Sequence, residues 1–230
     1  MRALRNQRGF TIAETLIVIA IIGVLFSAIV FTLSGRQSKT EFTQAAQEIQ
    51  SQIEQVISDV STGYYPNSNN FQCSAALSGP QFGVGSREQG ANEGCIFLGK
   101  AIQFGVPGPR AGIEDFKIYS IAGLQRTVDG NEVTTYADAR PKVVAPPSTP
   151  DGVDTTETKY LLYGLTTQKI SYGAGDTQVG AIAFVNGLAS YESSAIQSGT
   201  QQVRVVPVRT TALGQTQDQA VTAINNQLAN

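Results

Sequence analysis

The sequence contains no histidine and no tryptophan, and charged residues make up only 15% of its 230 positions. Without histidine the chain cannot form a Ser-His-Asp or Cys-His catalytic arrangement or a metal site with an imidazole ligand. Soluble domains usually carry about a quarter charged residues, so uncharged polar side chains must build this surface, as is common outside the cytoplasm. The formal net charge of −2 gives no basic footprint for nucleic acid. Most familiar enzyme designs and a specific nucleic-acid partner are therefore not expected.

The apolar residues are concentrated near the N-terminus. Residues 10–33 form one apolar run of 24 residues in which Glu14 is the only charge. At about 1.5 Å per residue, a helix of this length is long enough to cross a hydrocarbon core. Residues 1–9 carry three arginines and no acid. The positive-inside rule therefore predicts a cytoplasmic N-terminus and places the rest of the chain on the far side of the membrane.

Three interpretations compete for this N-terminal segment. A secretory signal peptide has an apolar region of about 7–15 residues and a small-residue cleavage site after it, and this run is too long and lacks a good site. A plain membrane anchor explains everything except Glu14, because a carboxylate in an apolar helix costs about 2.5–3.5 kcal/mol on insertion scales. The third interpretation rests on residues 8–14, which read RGFTIAE.

The basic leader, the glycine, the phenylalanine, the isolated acid and the uninterrupted apolar run together resemble the class III leader of type IV pilins and type II secretion pseudopilins. The resemblance covers roughly residues 1–60. It implies that a prepilin peptidase cuts between Gly9 and Phe10, which removes the leader of residues 1–9. It also implies that Phe10 becomes the N-methylated first residue and that Glu14 guides subunit assembly.

Residues 34–62 are predicted to continue the helix as an amphipathic half. From Phe42 to Val60 the apolar residues recur at three- and four-residue spacing, which makes one stripe along a helix, and Gly63 is an expected stop signal. A coiled-coil stalk is the alternative, but strand-like sequence follows the stripe. The predicted fold class is therefore α+β and type IV pilin-like, with the long N-terminal helix packed on an antiparallel β-sheet head of residues 63–230.

The head is predicted to contain eight strands and one short amphipathic C-terminal helix at residues 217–228. The strand-like runs lie at residues 95–98, 102–106, 116–121, 133–136, 160–165, 169–172, 181–185 and 202–208. Residues 66–94 and 140–158 are predicted to be loops because they are rich in turn-forming residues. Two hairpin turns are predicted at Asp-Gly and Asn-Gly pairs, positions 129–130 and 186–187.

Cys73 and Cys95 are the two cysteines, and both lie beyond the apolar run. In an exported domain such a pair is typical of a disulfide, which here would close the loop between the two residues. Two unpaired thiols are the alternative. Two cysteines without histidine do not suggest a metal site.

Residues 94–100 match the glycine and lysine spacing of a phosphate-binding loop. The next position is Ala101, where a serine or threonine would hold magnesium. The four residues between the two glycines of the match are apolar strand formers. The match is interpreted as coincidence. No cofactor is predicted, and no arrangement of Ser, Lys, Asp or Glu stands out as catalytic.

These observations together predict a structural subunit and not an enzyme. The expected role is a pilin or minor pilin of a type IV pilus-like filament, stored in the inner (cytoplasmic) membrane as a single-pass precursor and then assembled into a cell-surface filament. The expected partners are prepilin peptidase, other pilin subunits and the membrane. A type II secretion pseudopilin and a single-span extracytoplasmic binding or sensor protein are the alternatives, and an anchored hydrolase is the enzymatic one.

Overall fold

The computed structural model divides the chain into two compact units, Met1–Ala46 and Gln47–Asn230. The residues it describes are 11–63, 71–84, 94–107, 114–127, 129–144, 156–173, 177–187, 203–209 and 213–229. Helix α1 runs from Ile12 to Thr62, so it contributes to both units. It ends as the sequence predicts, because Gly63 adopts a left-handed backbone with φ of 69°.

The first unit consists, where it is described, of the N-terminal part of α1. The segment Ile12–Phe31 is long and apolar enough to cross a membrane, and none of it is buried within the chain. Burying a large aliphatic side chain is worth about 1.5–3 kcal/mol. An exposed apolar helix of this length therefore needs lipid or other apolar helices around it.

Among the residues described above, the second unit contains ten strands and two α-helices in addition to the end of α1. The strands are β1 (Phe71–Ala76), β2 (Gly79–Val84), β3 (Cys95–Pro107), β4 (Glu114–Leu124), β5 (Lys142–Val144), β6 (Glu157–Tyr160), β7 (Ser171–Tyr172), β8 (Thr177–Gln178), β9 (Ala181–Asn186) and β10 (Val203–Val208). The helices are α2 (Tyr136–Ala139) and α3 (Gln217–Leu228).

Six of these strands form the main sheet, and its described pairings are all antiparallel. Its order is β10-β9-β3-β4-β5, with β6 beside β4. The pairs β1-β2 and β7-β8 form two small separate sheets. This arrangement of a long N-terminal helix and an antiparallel sheet confirms the predicted α+β class.

The second unit's part of α1 packs on one layer of the sheet core. Val56 and Val60 are buried against side chains of β3, β4 and β9, including Phe116 and Phe184. Alternate residues of the same strands, such as Tyr119, belong to a second cluster that contains Ile224 of α3. Because successive side chains of a strand point to opposite faces, the two clusters lie on opposite faces of the sheet. Within the second unit, the apolar stripe of α1 is therefore docked on a sheet, as predicted, and is not a coiled-coil stalk.

Several predicted loops and strands are wrong in their bounds. The region 66–94 was predicted to be a loop, but it contains the hairpin of β1 and β2, and the predicted loop 140–158 contains β5 and the start of β6. The separate strands predicted at 95–98 and 102–106 are one strand, β3. Gly99 looks like a break in sequence, but it lies within the strand at a register shift, where an added Cβ would overlap the carbonyl oxygen of Phe184.

Three further predictions in the head are corrected by the structure. Residues 133–136 form no strand, since Thr135 caps the short helix α2 with its side chain. Residues 160–165 contain only the end of β6, followed by a 3₁₀ turn at Leu162–Gly164. Asn186-Gly187 is not a two-residue hairpin turn, because Asn186 pairs with Val203 and 16 residues lie between them. The terminal helix α3 has the predicted bounds and begins with a capping box at Thr216.

Candidate functional site

The start of α1 brings Glu14 back onto the residue that precedes the helix. The Thr11 backbone N–H donates to Glu14 Oε2 at 2.9 Å, and the Thr11 hydroxyl donates to the same oxygen at 3.0 Å. In return, the Glu14 N–H donates to Thr11 Oγ1 at 3.3 Å. These reciprocal bonds form a capping box, which satisfies N–H groups that the first turn of a helix leaves without intrahelical partners.

The capping box provides Glu14 with a local structural role that the sequence analysis missed. Its signal was present, because a threonine followed three residues later by a glutamate ahead of an apolar run is the sequence signature of this cap. A negative side chain in the first turn also interacts favourably with the helix dipole. The predicted cleavage and methylation residues Gly9 and Phe10 lie outside the described residues.

Cys73 of β1 and Cys95 at the start of β3 form a disulfide, with their Cα atoms 6.0 Å apart. Cys73 is buried beside Ala122 and Val144, and Phe82 packs against the same cluster. The bond therefore connects the β1-β2 hairpin to the main sheet. It encloses the hairpin that the sequence analysis took for a loop.

We expect loss of this disulfide to loosen the hairpin and to leave the main sheet folded. The two cysteines are 22 positions apart, and closing a loop of that size is worth about 3 kcal/mol in the chain-entropy model. Hydrogen exchange on the full chain with and without reductant should show faster exchange mainly in Phe71–Val84. In a Cys73→Ser/Cys95→Ser variant the reductant should have no further effect. Two freely alkylated thiols in the native protein would contradict this prediction.

Lys100 of β3 is the lysine of the phosphate-loop-like match, and it is 2% exposed. Its Nζ lies 2.7 Å from Asp59 Oδ2 on α1 and 3.1 Å from Glu157 Oε1 on β6. The preceding residues are strand residues, so their backbone N–H groups do not form a phosphate cradle. Lys100 therefore joins a helix and two strands of the head. Among the residues that the structure describes, no three metal-ligating side chains come together.

The comparisons with known proteins concern the N-terminal segment. Residues 4–30 match the family model described as the prokaryotic N-terminal methylation motif, so the chain carries a prepilin-type N-terminal motif. The type II secretion system core protein G of Escherichia coli (strain K12) is 47% identical over 49 residues, which are 21% of this chain and 34% of that protein. The match thus spans about a third of that relative's length. No solved structure matches the chain significantly.

The comparisons therefore identify a known motif in the N-terminal segment and do not extend to the head. The predicted resemblance to prepilin-type proteins is confirmed for the segment that contains Glu14. The apolar helical segment Ile12–Phe31, most of which lies within the matched motif, is consistent with membrane anchoring. The residues of the head show an α+β architecture built on an antiparallel sheet.

Proposed function

We propose that this chain is a pilin-like structural subunit that is processed in the membrane and assembled into a filament through α1. The observation that carries the proposal is the position of Glu14, a carboxylate in the first turn of an exposed apolar helix and within the prepilin-type motif. In the stored precursor, lipid surrounds Ile12–Phe31. In the filament, the same segments of neighbouring subunits replace the lipid, and the heads form the outer surface.

A type II secretion pseudopilin is the second candidate, and the 47% identity to core protein G over 49 residues favours it. Both candidates use the same leader chemistry and differ in the machinery that assembles the subunit. Co-purification of the tagged protein with either surface pili or components of a secretion complex would separate them. The proposed role is structural in both cases, with prepilin peptidase and other subunits as partners and no reaction of its own.

Replacing Gly9 with a bulky residue should block processing of the precursor. The resemblance places the cut directly after Gly9, so a large side chain there would hinder the peptidase. We expect Gly9→Leu to leave a precursor nine residues longer than the wild-type mature chain (the leader of residues 1–9). N-terminal sequencing and mass spectrometry of membrane-extracted protein would measure this directly.

The matched control for this experiment is Gly23→Leu, which changes a glycine of α1 whose surroundings are open. This variant should still be cleaved and should begin at methylated Phe10. A wild-type protein that still begins at Met1 would contradict the proposed function. Such a result would favour a plain single-span binding or sensor protein instead.

A further inference from the structure

A cleft of about 770 Å³ opens in the head between α2, the start of β5, β10 and the C-terminal end of α3. Binding sites for small molecules commonly have volumes of about 300–1,000 Å³. All elements that line the cleft belong to the second unit. The cleft is far in sequence from the N-terminal motif, and nothing in the proposed filament role uses it.

Three basic side chains line this cleft, and none of the described residues that line it is acidic. Arg140 follows α2, Lys142 begins β5, and Arg204 lies in β10. Within the described ranges, none of the three forms an ion pair, since the ion pairs there involve only Lys100 and Lys159. Three like charges that share one cleft repel one another unless an anion lies between them. The cleft is therefore electrostatically complementary to a negative ligand.

Two of these basic side chains lie next to Gly79 at the start of β2. Arg140 has a left-handed backbone with φ of 47°, and its N–H donates to the Tyr136 carbonyl oxygen at 3.1 Å. A Cβ added to Gly79 would lie 3.3 Å from both Arg140 Cβ and Lys142 Cε. The glycine thus leaves the room that these two side chains occupy. Arg140 is exposed and Lys142 is half-buried, and both lie next to Gly79.

Two neutral donors add to the basic groups. The Tyr136 hydroxyl is buried and has no hydrogen-bond partner among the described residues. Burial raises the pKa of Tyr136 to about 12, although nearby Arg204 acts to lower it, so the hydroxyl keeps its proton at neutral pH. Asn225 Oδ1 already accepts from the Val143 N–H at 2.8 Å, and its amide nitrogen is left to donate. A buried donor without an acceptor is unfavourable unless a ligand supplies one.

The helix dipole of α3 opposes the binding of an anion, but its charge is smaller than that of the three basic side chains. The C-terminal end of α3 lines the cleft, and a helix end of this kind carries roughly half a unit of negative charge. The three basic side chains carry three full positive charges. The balance in the cleft is therefore positive.

We propose that this cleft binds a ligand through carboxylate or phosphate groups, with Arg140 and Arg204 as the main contacts and the Tyr136 hydroxyl as a neutral donor. The planar fork of an arginine matches the paired oxygens of both groups. Oxyanion groups accept hydrogen bonds and donate none when ionised, which suits a site whose polar side chains offer donors. An extended nucleic acid would need a basic stripe, and the chain's net charge is −2.

The test is a calorimetric titration of the full chain in uncharged detergent with citrate and, separately, tripolyphosphate at about 0.15 M ionic strength. We expect stoichiometric binding of at least one probe. Binding of citrate alone would identify a carboxylate ligand, binding of tripolyphosphate alone a phosphate ligand, and binding of both the shared oxyanion chemistry. Failure of both probes to bind would overturn the proposal and would not affect the proposed filament role.

Two double variants distinguish binding in the cleft from a general attraction of the probe to the protein's positive charge. Arg140→Gln/Arg204→Gln should weaken binding about a hundredfold, since each lost charge-assisted contact is worth about tenfold. The control Arg126→Gln/Arg209→Gln removes the same charge from exposed positions outside the cleft and should change the affinity little. Equal weakening in both pairs would show that net charge alone attracts the probe, and the assigned site would be wrong.

Tyr136→Phe tests whether the Tyr136 hydroxyl contributes to ligand binding or only to the stability of the fold. The variant removes a hydroxyl that has no partner in the described part of the chain. We expect the Tm to stay the same or rise, while binding of the probe weakens about tenfold. A lowered Tm with unchanged binding would show that the hydroxyl serves the fold and would remove it from the site.

Discussion

Glu14→Gln is expected to give a cleaved, membrane-held protein with a normal head that enters filaments poorly. Cleavage before Phe10 would create a positively charged amine four residues from Glu14, and in a filament of packed apolar helices both groups would lie in a low dielectric. The resemblance makes the amine of a neighbouring subunit the partner of this carboxylate. Removing one member of a buried ion pair costs about 3–5 kcal/mol, which corresponds to more than about a hundredfold in incorporation.

The capping box makes it possible to test the charge of Glu14 separately from its hydrogen bonds to Thr11. Glutamine can replace glutamate in a capping box, so Glu14→Gln keeps the hydrogen bonds to Thr11 and removes only the charge. Glu14→Ala removes both. Thr11→Ala removes the capping hydroxyl and keeps the charge, and loss of a cap costs about 1 kcal/mol.

We therefore expect Glu14→Gln and Glu14→Ala to be almost absent from sheared filaments and Thr11→Ala to be incorporated nearly as well as wild type. The measurement is filament-associated protein relative to total cleaved protein. If Glu14→Gln assembles normally while Glu14→Ala and Thr11→Ala do not, helix capping and not charge is what assembly requires. Normal assembly of all three would show that Glu14 has no role in setting the register of subunits.

Lys100→Met is expected to destabilise the head by about 3 kcal/mol, the low end of the range for breaking a buried ion pair. The low end applies because the two partner side chains, Asp59 and Glu157, are 20% and 37% exposed and regain some hydration. For a domain of 150–250 residues this corresponds to a fall in Tm of about 6–12 °C. Thermal unfolding of the full chain in mild detergent, followed by circular dichroism, would measure it.

Lys159→Met is the matched control, because it removes another lysine that faces Glu157. The Lys159 ammonium lies 3.9 Å from that carboxylate, and its side chain is 41% exposed, so its removal should cost less than about 1 kcal/mol. Adding Asp59→Asn and Glu157→Gln to Lys100→Met should restore part of the lost stability, since no uncompensated charge then remains. Equal effects of the two lysine substitutions would show that Lys100 contributes as an ordinary surface ion pair.

Local patterns account for the parts of the structure that the sequence predicts well. The bounds of α3 and the end of α1 at Gly63 follow from side-chain periodicity and stop signals within a few residues. The capping box of Thr11 and Glu14 is equally local, since the two residues are three positions apart. The wrong strand bounds include β5 and β6, whose pairing partner β4 lies more distant in the sequence. The strands of the β1-β2 hairpin pair with each other, and the Cys73–Cys95 disulfide attaches the hairpin to the main sheet.

Residue types and short spacings are enough to predict one apolar helix with a single carboxylate near its start, an amphipathic continuation and a β-rich head. The helix and its amphipathic continuation depend only on these local patterns. Long-range contacts in the folded head define the role of Lys100, whose partners lie 41 and 57 positions away. They also bring Arg140, Lys142 and Arg204 together in one cleft. Such contacts depend on strand order and register, and short-range spacing in the sequence does not encode either.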